Sequence, residues 1–228
     1  ATVSNLGVVA ANACGNVEAE ARLRLSLSRA YTDLGKLGLA RDQLDAAAVL
    51  ADSSGDLVLM ASVWEFRGRL LDVTDPPAAL DAYRRSYELN VAGEEWRGAA
   101  LARYFAGCAL EAAGRPEQAL ESLRSALGEL RRLDDNRMAG RVLIAIGTAQ
   151  ASLGRAAEAS ASLQEALGLV RGLHYEGQAR EALATIAEES GDRTAAREHL
   201  RKAARIYAET KHPRAAMIAD RLDGDEQA

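Results

Sequence analysis

Few residues of this chain have the types and spacing that chemistry requires. The three histidines, His174, His199 and His212, have no Cys, Asp or His partner at metal-binding spacing. Carboxylate pairs such as Glu94-Glu95 stand at predicted helix ends or on exposed faces. The sequence contains no phosphate-loop, nucleophile-elbow, zinc-protease or calcium-loop motif. We therefore predict no catalytic residue, no metal site and no cofactor, and we do not expect an enzyme.

Composition favours helices and excludes several classes of partner. Ala and Leu account for 48 and 31 of the 228 residues, and both are strong helix formers. With a net charge of −5 and a pI of about 5.4, the chain lacks the positive field that attracts nucleic acid. No apolar stretch approaches the roughly 20 residues that a membrane span needs. We expect a cytoplasmic protein that itself binds neither nucleic acid nor membranes.

Three columns of residues recur along the chain, the first of them at intervals of 39, 40, 40 and 37. A small residue is followed four positions later by a bulky one, and three positions later by another small one, which places all three on one helix face. The first small column is Ala40, Ala79, Ala119, Ala159 and Ala196. The bulky column is Leu44, Tyr83, Leu123, Leu163 and Leu200. The second small column is Ala47, Ser86, Ala126, Ala166 and Ala203.

A second helix is predicted before each column, because turns rich in Gly or Pro precede it. We expect a left-handed cap at the turn glycines Gly35, Gly114, Gly154 and Gly191, and Pro76 and Pro116 in first turns. The sequence thus predicts helix–turn–helix repeats at about 17–53, 56–92, 94–133, 135–172 and 175–210. A half-repeat at 1–14, a capping helix at 213–223 and an acidic tail at 224–228 complete a single domain.

These units resemble the tetratricopeptide repeat (TPR), whose pattern is W-x2-L-G-x2-Y, then A-x3-F, then A. Its Gly position is filled by Ser28, Gly68, Gly107, Gly147 and Ala184. Trp64 and Tyr31 take the Trp and Tyr positions, although most units lack both, and the period exceeds the usual ~34 residues. The resemblance implies an all-α fold, a right-handed TPR superhelix (α-solenoid) of about five stacked repeats with longer helices.

In TPR proteins, positions 2, 5, 9 and 12 of each repeat line a concave groove, and the resemblance transfers that role to residues of both charges here. A groove of this kind suits a protein, a peptide or a small polar ligand, because Arg grips carboxylates and phosphates with two hydrogen bonds. The main candidates are Arg22, Arg29, Glu65, Arg69, Tyr104, Cys108, Glu111, Arg141, Thr148, Gln178 and Glu181. The same positions include Leu25, Asp72, Ile144 and Glu188, so that the first repeats are more basic and the last more acidic.

The alternative, non-functional interpretation of these residues is that charged side chains on a solenoid are simply solvated. For His199, beside the apolar Leu200, we expect solvent exposure. We expect Trp64 in the core, because the repeat requires a large residue there. Trp96 precedes the regular part of its helix, and both packing on the preceding unit and exposure as a partner anchor stay open.

The runs Leu153–Ala159 and Gly191–Leu200, with the closing segment Lys211–Ala216, resemble one particular group of TPR arrays. This group is the C-terminal TPR region of actinobacterial STAND/SARP-type (NB-ARC) transcriptional regulators. The resemblance implies a sensor or autoinhibitory array, preceded in a longer parent chain by DNA-binding and NTPase domains. A start at Ala1 without Met fits such a fragment.

Two other functions stay open beside the sensor. A generic TPR scaffold would bind a partner's peptide without any link to transcription, and an enzyme is the least favoured alternative. An exposed half-repeat at the N-terminus would permit end-to-end packing or a homodimer.

Overall fold

The computed structural model describes residues 8–11 and 13–224 of the chain, and within these ranges it contains helices and turns but no strand. Residues 8–11 are helical. The remaining helices are α1 (Val17–Asp33), α2 (Leu37–Ser54), α3 (Leu57–Thr74), α4 (Pro76–Ala92), α5 (Trp96–Ala112), α6 (Pro116–Arg132), α7 (Asn136–Ser152), α8 (Ala156–Leu169), α9 (His174–Glu189), α10 (Arg193–Glu209) and α11 (Arg214–Gly224). Parts of the predicted half-repeat (residues 1–7 and 12) and tail (225–228) lie outside the described residues.

The helices begin and end where the turn residues predict. Pro76 and Pro116 each occupy the first position of a helix, where a missing N–H costs nothing. The four turn glycines named above have φ between +69° and +82°, which confirms the predicted left-handed caps. Between repeats, the left-handed position is occupied by Gly55 and Gly172 at two boundaries, and by Glu94, Asp134 and Lys211, with φ of 52° to 57°, at the other three. Such a conformation strains a residue with a side chain, so the surrounding turns must hold it in place.

The described chain divides into two compact units. The first ends at Gly114 and contains α1 to α5, and the second begins at Arg115 and contains α6 to α11. In the first unit α1 packs on α2 and α3 on α4, while in the second α7 packs on α8 and α9 on α10. These are four of the predicted helix–turn–helix pairs. In each, the second helix carries one copy of the repeated columns.

All members of the three columns are buried, none being more than 2% exposed. The small residues allow the backbones of two helices to approach, and the bulky residue between them fills the remaining space. Ser86, the one polar member, donates a hydrogen bond of 2.8 Å to the carbonyl oxygen of Ala61 in the facing helix α3. A hydroxyl is therefore accepted in this column because a backbone oxygen receives its proton.

In each pair, the first helix also carries a small residue, which lies opposite the bulky column residue of the second helix. A Cβ added to Gly68 would lie 2.5 Å from Cε1 of Tyr83, and one added to Gly147 would lie 2.7 Å from Cγ of Leu163. Ser28 and Ala184, at the same repeat position, are no more than 1% exposed. The small position of the first helix and the bulky position of the second are thus packed directly against each other.

This packing predicts opposite effects for two glycine substitutions within the second unit. Gly147→Ala should lower the free energy of unfolding by about 1–3 kcal/mol, because Leu163 is fully buried and has no room to retreat. Gly128→Ala should raise it by about 0.5–1 kcal/mol, because a Cβ at this position of α6 meets nothing within 4 Å and Ala favours the helix.

Both variants can be measured by denaturant unfolding followed by circular dichroism. Gly168→Ala is a second open helical position and should behave as Gly128→Ala does. Equal effects at Gly147 and Gly128 would show that helix propensity, rather than close packing, governs both positions.

Candidate functional site

The predicted groove residues lie on the first helices α1, α3, α5, α7 and α9, and we call the positions of these helices that match TPR positions 2, 5, 9 and 12 the first-helix face. The repeat pattern is wrong for two of its apolar members. Leu25 is 3% exposed and belongs to the core of α1 to α3, and Ile144 is 9% exposed. Both side chains are aliphatic, and burial against the neighbouring helix outweighs exposure on a polar face.

The basic residues of α1 do not converge on a site. The guanidinium of Arg22 lies 2.9 Å from the carboxylate of Glu18, one turn earlier, and both side chains are more than half exposed. Arg29 is also exposed. A solvated pair of this kind contributes little to stability or recognition, so the non-functional interpretation, in which the charged side chains are simply solvated, fits this helix.

In the first unit, α3 and α5 bring an arginine together with two aromatic rings. The guanidinium carbon of Arg69 lies 5.4 Å from the ring centre of Phe66 and 5.3 Å from that of Phe105. Cation–π contacts at such distances hold a guanidinium by its face. Its N–H groups point outward in the plane of the guanidinium and can still donate hydrogen bonds. Arg69 is therefore fixed across two helices, and sequence reasoning selected Arg69 without either ring.

Asp72 and Tyr83 form the polar side of the same arrangement. The Tyr83 hydroxyl donates a hydrogen bond of 2.5 Å to Oδ2 of Asp72, and the Tyr83 ring stacks on Phe105 with centres 5.8 Å apart. Burial raises the pKa of the Tyr83 hydroxyl, and the Asp72 carboxylate raises it further. Burial also raises the pKa of Asp72, although the Tyr83 hydrogen bond and Arg69 oppose this. The bulky-column residue Tyr83 thus serves both the core and the first-helix face.

The remaining candidates of this unit surround these side chains. Tyr104 contacts Phe105 in a tilted arrangement with ring centres 5.1 Å apart. Glu65 is partly buried and near enough to raise the pKa of Tyr83. Cys108 and Glu111 are both partly buried. We call Arg69, Asp72, Phe66, Tyr83 and Phe105 together the aromatic–arginine cluster.

A small cavity lies behind this cluster, between α4 and α5. Its volume is about 150 Å³ and its lining includes Tyr83, Tyr87 and Arg103. Drug-sized ligands occupy about 300–1,000 Å³. Arg103 donates a hydrogen bond of 2.6 Å to the Tyr87 hydroxyl and lies over that ring. We assign this cavity to packing and not to a ligand.

In the second unit, two carboxylates of the first-helix face are neutralised by α11. The guanidinium of Arg214 lies 2.9 Å from the carboxylate of Glu181, and that of Arg221 lies 2.5 Å from the carboxylate of Glu188. The repeat pattern by itself predicted an acidic last repeat. The capping helix changes that expectation, because it brings one positive charge to each of these negative ones.

Other candidates of this unit differ in their surroundings. Thr148 is exposed and its hydroxyl donates to the Ile144 carbonyl of its own helix. Gln178 is partly buried. Arg141, in α7, lies with its guanidinium carbon 4.8 Å from the ring centre of Tyr175 in α9. Of these, Arg141 is held in position by a second helix.

The histidines are arranged in a way that sequence spacing did not show. His174 opens α9 and His212 precedes α11, yet their rings stack with centres 5.3 Å apart, and Tyr207 stacks on His212 at 4.8 Å. Burial lowers the pKa of His174, and the neighbouring His212, Arg141 and Arg137 lower it further. Stacking across 38 residues of sequence has no local signature.

Two expectations about single residues need correction. His199 is partly buried, and its Nδ1 atom is buried without a hydrogen-bond partner among the described residues. Burial, followed by Arg180 and Lys202, lowers its pKa. Trp64 is only partly buried and carries the Arg67 guanidinium on its ring at 4.7 Å, so it is not a core residue. Trp96 is 51% exposed.

Within residues 8–11 and 13–224, no group of three or more His, Cys, Asp or Glu side chains is placed to hold a metal ion. The same ranges contain no helix long and apolar enough to cross a membrane.

Comparison with solved structures shows that the fold is that of a TPR solenoid. BtubC from P. vanneervenii aligns with a TM-score of 0.76 and 17% identity, over 92% of this chain and 90% of that one. A Rap protein complexed with Competence and Sporulation Factor aligns with a TM-score of 0.77 and 18% identity, over 90% of this chain and 57% of that one. No protein-family model and no curated protein gives a match.

A third solved structure is a STAND protein with a tetratricopeptide repeat sensor from Pyrococcus horikoshii. It aligns with a TM-score of 0.69 and 14% identity, over 89% of this chain and 32% of that one. The chain therefore spans little more than half of the Rap protein and about a third of the STAND protein. At these identities the likeness shows the fold alone.

The partly buried histidines His174 and His199 predict a loss of stability in mild acid. Both His174 and His199 have a folded-state pKa below the ordinary value of 6.5. The unfolded chain therefore binds more protons as the pH falls through 6.5, and the folded state loses stability in that window. The melting temperature should fall between about pH 7.5 and about pH 5.5.

Matched variants identify the groups that cause this loss. His174→Gln combined with His199→Gln should flatten the dependence, whereas Arg193→Gln, at an exposed position of α10, should leave its slope unchanged. A melting temperature that stays constant or rises as the pH falls through this window would contradict the assignment.

Proposed function

We propose that this chain is a non-catalytic, cytoplasmic TPR binding module, and that it serves as the sensing or autoinhibitory region of a bacterial STAND-type transcriptional regulator. Its ligand would be a peptide, a protein or a small polar molecule bound on the first-helix face. The likeness to a STAND protein with a TPR sensor supports the first part of the proposal. The likeness to a Rap protein complexed with Competence and Sporulation Factor supports the second.

The aromatic–arginine cluster is the observation that carries the proposal of ligand binding. Arg69 is already held by Phe66 and Phe105, and Asp72 is already held by Tyr83. Side chains fixed before binding lose little rotamer entropy on binding, so more of each contact contributes to affinity. Arginine and aromatic residues are also the types that dominate binding hot spots.

The chemistry of this cluster fits a peptide with polar groups of both signs. Arg69 offers N–H donors to a carboxylate or a backbone carbonyl. The Asp72 carboxylate uses one oxygen for Tyr83 and offers the other to a donor on the ligand. The rings of Phe66 and Phe105 supply apolar surface beside both. A peptide backbone with one apolar side chain would satisfy all three.

A second candidate function is a generic protein-interaction scaffold without any link to transcription. The alignment with BtubC favours it, because 90% of that chain is covered and nothing comparable to an NTPase region is left over. The two candidates share the binding face and differ in what precedes it in the parent chain.

Charge reversal at Arg69 tests the binding face. Arg69→Glu should reduce capture of a bound partner from lysate of the source organism by about tenfold or more. Loss of an Arg at the centre of an interface costs about 2 kcal/mol or more of binding free energy. Bound fractions can be compared by quantitative mass spectrometry against the unaltered chain.

Arg41→Glu serves as the matched control, since Arg41 is exposed on the second helix α2, away from the first-helix face. Circular dichroism should show that both variants keep their helical content. If both variants capture the same partners in the same amounts as the unaltered chain, recognition on this face is disproved.

The parent reading frame separates the two candidate functions. For a STAND-type sensor, the upstream sequence should contain NTPase and DNA-binding modules, and deletion of this array should alter the ATP hydrolysis rate of the parent. The isolated chain should hydrolyse no ATP. An upstream sequence without an NTPase module would rule out the STAND assignment and leave the scaffold.

A further inference from the structure

A group of basic and aromatic side chains in the second unit has no role in the cluster described for the first unit. It consists of Arg137 and Arg141 from α7, His174 and Tyr175 from α9, and His212 from the turn before α11, and we call it the basic cluster. The Arg141 guanidinium lies 4.8 Å from the Tyr175 ring, the Tyr175 ring 3.9 Å from the His174 ring, and the His174 ring 5.3 Å from the His212 ring. These contacts make one continuous surface from three elements.

The charges within this surface are predominantly positive. Arg137 lies one turn before Arg141 on α7 and is exposed, and its charge is near enough to lower the pKa of His174. The charged groups that act on His174 are His212, Arg141 and Arg137, and all three are cations or become so on protonation. Basic groups gathered in this way repel one another, and a bound anion would relieve that repulsion.

Two carboxylates of α9 near the cluster are already paired with other arginines, and Glu176 lies 3.0 Å from Arg180. Glu181 on α9 is paired with Arg214 of α11 at 2.9 Å. Tyr207 of α10 contributes a neutral ring to the stack, because burial raises the pKa of its hydroxyl. Lys211, in the turn beside His212, adds a further positive charge. The charged groups that act on His174 are therefore all basic.

His212 already has the tautomer that an anion requires. Its Nδ1 accepts a hydrogen bond of 3.3 Å from the backbone N–H of Arg214. In the neutral imidazole, the proton then resides on Nε2, which is left as a donor.

We propose that the basic cluster binds an oxyanion carried by a peptide, either a carboxylate or a phosphoryl group. The two guanidinium groups and the His212 Nε2–H donate to its oxygens, and His174 takes up a proton when the anion binds. This inference deepens the proposed function by naming the chemical class of one ligand group, and it rests on that function only for the peptide that carries the group.

The three histidines of the chain make the test direct, because two belong to the cluster and the third, His199, does not. In the labelled full-length chain, titration with inorganic phosphate should shift the ring resonances of His174 and His212 saturably and leave those of His199 in place. The titration midpoint of His174 should also rise, because a bound anion favours the protonated ring.

Arg137→Gln should weaken phosphate binding by about tenfold, since a hydrogen bond to a charged group is lost. The control Arg193→Gln, an exposed arginine of α10 outside the cluster, should leave the affinity unchanged. Equal movement of all three histidines, no movement at all, or equal phosphate affinity of Arg137→Gln and the unaltered chain would each overturn the proposal.

Three capped tripeptides distinguish the sources of the anion. A peptide with a central Glu, one with a central phosphoserine and one with a central Gln would be added in turn. A shift with Glu assigns a carboxylate, a shift with phosphoserine assigns a phosphoryl group, and an equal shift with Gln would show that charge is not recognised and overturn the proposal.

The outcomes also separate this site from the proposed function. In one outcome, phosphate shifts the histidine resonances but the capture of every partner is unaffected by Arg69→Glu. This outcome would support the basic cluster and reject binding at the first unit. A partner that depends on Arg69, together with histidines that do not respond to any anion, would reject the basic cluster alone.

Discussion

Contact between a small residue on one helix and a large residue on the next is the interaction on which this structure depends. In α7 and α8, the absence of a side chain on Gly147 allows Leu163 to lie where a Cβ would otherwise be. Gly68 and Tyr83 repeat the arrangement in α3 and α4. Because two helices that pack this closely exclude water, each pair gains dispersion and hydrophobic stabilisation along its length. The same contact fixes the rotation of each helix about its axis, and so decides which residues face away from the partner.

The functional surface follows from that rotation. Tyr83 occupies a core position against Gly68, and its hydroxyl still reaches Asp72 on the first-helix face. The core thereby positions a polar group, and Phe105 then links Tyr83 to Arg69. In the second unit a further helix, and not the core, sets the charge of the surface. The helix α11 approaches α9, and its arginines neutralise Glu181 and Glu188. One repeat pattern therefore yields different electrostatic surfaces, depending on what packs beside it.

The fold could be predicted almost entirely from the sequence, and the candidate site only in part. Helix pairs and buried columns follow from a local pattern repeated five times, and a turn glycine recurs in four of the five repeats. Transfer of groove positions selected Arg69, Arg141 and Glu181, which are partly buried, but it also included Leu25 and Ile144, which are buried. The pattern could not show that Arg69 lies between two rings, or that Glu181 has a partner. Those facts depend on side chains brought together from distant segments, and local periodicity carries no information about them.

By itself, the sequence determined that the chain folds as stacked helix pairs, because the spacing of small and large residues leaves one way to bury them. Its composition favoured helices over strands, and it contains none of the common catalytic motifs. Only the tertiary structure decided the chemistry of the surface. Stacking of His174 on His212, support of Arg141 by Tyr175, and the hydrogen bond from Tyr83 to Asp72 all arise between residues of different elements. Electrostatic effects depend on distance and burial in space, and these are set only when the helices pack.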